Sequence, residues 1–127
     1  MATAELVTDF IDAGRKLTSA LDAAGIEVRS AFWLYDAEAR DWRLTLAMPL
    51  VEERGVASTY DEIVKVLRTT PIPGLFLRQI AVVRPSDELV VALRKAIQTG
   101  PTLASVRLTN SAVDNILIDD AYIYRST

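Results

Sequence analysis

Neither cysteine nor histidine occurs among the 127 residues of the chain. The first absence removes thiolate nucleophiles, disulfide frameworks and the sulfur ligands of zinc fingers. The second removes Ser-His-Asp and Cys-His devices, together with the side chain that ordinarily changes charge near neutral pH. Any catalysis would fall to carboxylates, Lys, Tyr, Ser, Thr or a hard metal ion held by oxygen. Glycine and proline number five each, and no glycine-rich phosphate loop, GxSxG elbow or HExxH helix can be traced. Positive charge is short as well: 14 Lys and Arg against 17 Asp and Glu give a net charge of −3 and a pI near 4.9. A general nucleic-acid groove needs an excess of cations to displace counterions from phosphates, so the acidic total argues against one. No apolar run approaches the length of a membrane span, and the first residues carry no basic segment ahead of an apolar stretch. The expected compartment is the cytoplasm, with no membrane partner.

What is present is ordinary globular material, 50% hydrophobic and 24% charged. A chain of this length forms one domain, spanning residues 1–127, and removes roughly two-thirds of its unfolded surface from water. No motif implies a cofactor.

The stretch over residues 28–50 reads as strand, turn and strand. In its second arm Trp42, Leu44, Leu46, Met48 and Leu50 alternate with Arg43, Thr45 and Ala47, the period of a pleated strand with one core face. In its first arm residues 31–35 (AFWLY) are apolar at every position, which calls for cover on both faces. Directly paired residues share a face, so the register decides which set joins the core. Pairing Tyr35 with Trp42 sets Trp33 beside Leu44; pairing Asp36 with Trp42 sets Phe32 and Leu34 there and projects Trp33 and Tyr35 outward. The second register gives an aliphatic face that matches the helices available, and is favoured on that ground.

Around the hairpin, helical spacing of Leu6, Phe10, Ala13, Leu17, Leu21 and Ala24 predicts a helix over residues 4–24, closed by Gly25. The polar break at residues 52–55 and a cap at Ser58 predict a second helix to about Arg68, with Tyr60, Ile63, Val64 and Leu67 inward. Pro71, Pro73 and Gly74 end it. Residues 79–84 have the β-branched density of a buried strand, and Ser86 opens a third helix that Gly100 and Pro101 stop. A strand over 104–108, a turn region over 110–115 and a final strand or strand pair over 116–124 complete the chain. The expected fold is α+β, in the order α-β-β-α-β-α-β-β: one mixed, mainly antiparallel sheet of about five strands with three helices packed on it.

Two constellations bear on function. Trp33, Tyr35, Tyr122 and Tyr124 form an aromatic face if the last strand lies near the hairpin, and such a face can bind a peptide, a flat ligand or a second copy. The competing reading is plain core beneath a helix. Asp119 and Asp120, with Asp114 near in sequence and Glu52 and Glu53 elsewhere, are the nearest approach to an oxygen-ligand set for magnesium or manganese. Against that, adjacent aspartates on a strand point to opposite sides and are commonly solvated. Arg29, Arg43, Arg78, Arg84, Arg107 and Arg125 fall in or beside strands, where edge protection explains them as well as phosphate contact does. The first expectation is therefore a non-enzymatic interaction module that forms a homodimer or binds another protein through the four aromatics. The alternative is a divalent-metal-dependent hydrolase or nuclease using Asp119, Asp120 and Glu52.

Residues 31–35, the arm over 42–50, Gly55 with Tyr60, and residues 118–124 (IDDAYIY) together resemble a family of small bacterial α+β proteins with no assigned function. The resemblance implies a bacterial source and brings no site residues with it.

Overall fold

The hairpin is built from β1 (Ser30–Asp36) and β2 (Asp41–Ala47), and its register sets the rest of the molecule. Tyr35 pairs with Trp42 and Asp36 with Asp41, so Trp33 lies opposite Leu44. This is the register the sequence disfavoured, and the turn explains it. Asp36 Oδ1 accepts from the backbone N–H of Glu38 (3.0 Å) and Ala39 (3.3 Å), and Arg40 takes a left-handed φ of 54°, which tightens the connection to residues 37–40. The aromatic set thereby turns to the same face as Leu44 and Leu46, and Phe32 and Leu34 turn to the other.

The computed structural model describes residue 6 and residues 8–127. Its order is α1 (Thr8–Ala23), β1, β2, α2 (Pro49–Thr69), a 3-10 turn at Leu77–Gln79, β3 (Ile80–Val83), α3 (Glu88–Ala96), β4 (Val106–Val113) and β5 (Ile116–Ser126). The helix start expected at residue 4 lies outside the described residues. The five strands form one mixed sheet in the order β3-β2-β1-β5-β4. β2 and β3 run parallel across α2, and every other pair is antiparallel. The α+β order read from the sequence is the order found.

Four boundaries differ from expectation. β2 stops at Ala47 because Pro49, which has no N–H to give a ladder, is the first residue of α2, where that N–H is not needed. α2 accordingly begins before the polar break, which is a kink: Gly55 sits at φ 85°, ψ 174° inside the helix, a conformation open at low cost to glycine alone. Ser58 lies within α2 rather than capping it, and the buried set is Val51, Thr59, Ile63 and Val66. The expected turn over 110–115 contracts to Asp114 and Asn115, both at positive φ, so β4 and β5 form a long hairpin. α3 matches best at its start, with the Asp87 side chain accepting from Leu89 and Val90 N–H. It ends at Ala96, short of the predicted stop at Gly100.

Two apolar clusters sandwich the sheet. On one face α1 and α2 press Leu17, Leu21, Ile63 and Val66 onto Trp33, Trp42, Leu44, Leu46 and Ile80. On the other, Val90 and Leu93 of α3 meet Phe32, Ala47, Ile118, Ala121 and Ile123. Ile118 and Ala121 share this face although three residues apart, because Asn110 and Asp119, opposite one another, both drop out of the β4–β5 pairing and Asn110 takes φ 45°. The strand pair changes facing there. Among the described residues no helix is long and apolar enough to cross a membrane.

Candidate interaction surface

Three of the four predicted aromatics, Trp33, Tyr122 and Tyr124, gather on the α1 face with Tyr35 packed at its margin, but the face is covered. Trp33 and Tyr124 are fully buried. The Trp33 indole N–H donates to the Tyr124 hydroxyl (3.0 Å) and to the Phe10 carbonyl (3.1 Å), while the Tyr124 hydroxyl donates to the Ile11 carbonyl. Phe10 stacks on Trp33 at 5.6 Å between ring centroids, and the Arg15 guanidinium lies 5.3 Å from the Tyr124 ring centre. What lets α1 come so close is Gly14: a Cβ there would fall 2.6 Å from both Trp33 Nε1 and the Tyr124 oxygen. Burial pushes the Tyr124 hydroxyl above its ordinary pKa, which keeps it protonated and a hydrogen-bond donor. Trp33 and Tyr124 are thus core beneath a helix and offer no surface to a partner. Tyr35 and Tyr122 are half-buried, Tyr35 edge-on to Trp42 at 5.5 Å.

The carboxylates are dispersed. Both oxygens of Asp120 accept from Arg107, at 2.6 Å each, and Asp120 is buried while the guanidinium also lies over Trp42. Asp119 looks out on the α3 face, where it lines a groove. Glu52 sits in the first turn of α2 and accepts from the Ser86 hydroxyl (3.2 Å), and Asp114 pairs with Lys95 (3.0 Å). Among the described residues no three His, Cys, Asp or Glu side chains come together as a metal-ligand set. The Asp119, Asp120 and Glu52 constellation expected from sequence is not assembled: the adjacent Asp119 and Asp120 turn to different sides of β5, one into the groove and one onto Arg107, and Glu52 lies on α2.

The arginines are largely spoken for. Arg107 serves Asp120, Arg29 pairs with Glu27 (2.5 Å) and Arg125 with Asp22 (2.7 Å). The last two line an open cavity of about 740 Å³ beside Gly100 and Pro101, whose two cations and two anions neutralise each other. That balance leaves little net attraction for a charged ligand.

The α3 face is different. α3 has nine residues and α1 and α2 have 16 and 21, which at about 1.5 Å per residue is ~14 Å of cover against ~24 and ~31 Å. Beside Leu89 in the first turn of α3, a groove of about 380 Å³ opens between the two hairpins. Leu34, Leu89, Ile116 and Ile118 make an apolar floor. Leu117, 72% exposed, stands at the rim with Asp36, Glu38, Asp119 and Arg43. None of the three carboxylates is in an ion pair among the described residues. The arrangement can receive apolar side chains flanked by positive charge.

The sequence pattern does not mark this groove: the favoured register places Leu34 in the core, and Leu117 falls inside a predicted strand. The available signal was the run Ile116, Leu117, Ile118: three large apolar residues in succession need cover on both sides of a strand, and a nine-residue helix supplies it on neither side of Leu117.

No family model, curated protein or solved structure matches the chain.

Proposed function

We propose that the chain is a non-enzymatic, cytoplasmic docking module that holds a protein surface, either another protein or a second copy, in the groove of its α3 face. The observation that carries this reading is the exposed Leu117 beside an apolar floor and three carboxylates that are in no ion pair among the described residues. Large apolar side chains standing free next to a lined concavity are what a docking surface needs and what a finished core avoids. Elsewhere, the Tyr124 hydroxyl, the Asp120 carboxylate and the terminal nitrogens of the Arg125 guanidinium each have short protein partners.

The test is a photo-crosslinking residue in place of Leu117, with the same residue in place of the exposed Lys65 on α2 as control. Irradiation of the source cells is expected to give a discrete adduct from the groove position and none from α2. Equal, diffuse labelling from both would remove the reading.

A further inference from the structure

The groove has a complementary surface on the same chain. The large apolar residues left exposed among those described are Val56, Phe76, Leu77 and Leu117. Phe76 (52%) and Leu77 (39%) are adjacent, on the 3-10 turn that leads into β3. The turn is stiff: Gln79 N–H donates to the Phe76 carbonyl (2.9 Å) and Gln79 Oε1 accepts from Phe76 N–H (2.8 Å). Arg78 lies with its guanidinium 4.6 Å from the centre of the Phe76 ring and is in no ion pair among the described residues. This is a preorganised apolar knob with a positive charge beside it, and the groove is an apolar hollow with negative charge on its rim.

Resting on the docking reading above, we infer that the groove's occupant is a second copy of this chain, with Phe76 and Leu77 of each subunit seated in the groove of the other and Arg78 against the carboxylates of Glu38 and Asp119. The position of Arg43 supports the symmetry. Arg43 lines the groove, and its guanidinium donates to the Arg78 carbonyl (3.5 Å), so knob and groove adjoin on one side of the molecule. Complementary patches that adjoin can close about a two-fold axis, each contact made twice; patches on opposite sides would propagate a filament. The duplicated contact doubles the area that one knob alone would bury, and the stiff turn lowers the ordering cost of association.

The experiment is sedimentation of the purified full chain through the micromolar range. A concentration-dependent dimer is expected. Phe76→Ser and Arg78→Glu, both at exposed positions, should each weaken it at least about tenfold with unchanged circular dichroism. Combining Arg78→Glu with Glu38→Arg and Asp119→Arg should restore much of the loss. A monomer at every concentration, or a dimer indifferent to Phe76→Ser and Arg78→Glu, overturns the inference. In that event a discrete adduct to a different protein from the Leu117 crosslinker would leave the docking reading standing, and its absence would remove both.

Discussion

The two faces of the sheet are made from similar apolar strands and finished in opposite ways. Beneath α1, the largest side chains of the molecule are enclosed and their polar tips answered: Trp33 donates to Phe10 and Tyr124, and Tyr124 donates to Ile11. Beneath α3, Leu34, Leu89, Val106, Leu108 and Val113 are only half-buried, and Leu117 stands out in solvent. Aromatic content alone does not mark an interface; what separates the faces is how far the covering helix extends. A side chain's role follows from whether anything is left over it.

The change with the largest expected effect strikes the closed face. Gly14→Ala gains up to about 1 kcal/mol in helix propensity. Against this, the new methyl would lie 2.6 Å from Trp33 Nε1 and the Tyr124 oxygen, and overpacking of that kind costs about 1–3 kcal/mol with the aromatic hydrogen bonds at risk as well. The net should be a loss of about 2 kcal/mol in denaturant unfolding, measured with tryptophan fluorescence as one probe. A variant as stable as the parent would mean that α1 rides loosely on the aromatics and that the faces are more alike than their packing indicates.

Tyr124→Phe is a smaller and more diagnostic change. It takes a donor from the Ile11 carbonyl, for about 1 kcal/mol at neutral pH, while the Trp33 indole keeps Phe10. Its signature lies in alkali. Burial raises the Tyr124 pKa above its ordinary 10.0, so beyond about pH 10 the unfolded chain gives up a proton that the folded chain retains. Stability from this group is complete below that pH and falls as pH rises, by up to about 1.4 kcal/mol per unit. Unfolding at a series of alkaline pH values should show a shallower decline in Tyr124→Phe than in the parent. Parallel declines would place the hydroxyl in contact with water.

How much of this was legible depends on what sets each feature. Element type follows from local periodicity, and the helices and strands stand in the predicted order. Register follows from turn chemistry: whether the loop after Asp36 closes on Asp41 rests on an Asx contact and a left-handed Arg40, neither of which is coded by the hydrophobic pattern. Tyr122 and Tyr124, two residues apart on β5, share a face, and their rings meet at 5.3 Å. Strand period names such a face without saying which helix covers it. Gly14 carries the answer, in a helix whose apolar spacing reads the same with or without it. The groove has no mark in the pattern for the converse reason: residues of both hairpins and Leu89 in the first turn of α3 meet there, and no single run of sequence encodes that meeting.

The smallest expected effect is at Leu117, and its smallness is what gives it value. The side chain is 72% exposed, so Leu117→Ser removes little apolar surface from the folded state that was not already in water, and the change in unfolding free energy should stay within about 0.5 kcal/mol. Edge and turn positions of a hairpin tolerate serine, and the paired backbone of Ala112 and Leu117 is untouched. If the open face is a docking surface, the same substitution should nevertheless weaken association clearly, because a rim leucine excludes water from the contact it borders. Stability retained with association lost would separate the two faces in one variant. Stability lost by more than about 1 kcal/mol would instead make Leu117 part of the core, and the sheet would then have two closed faces.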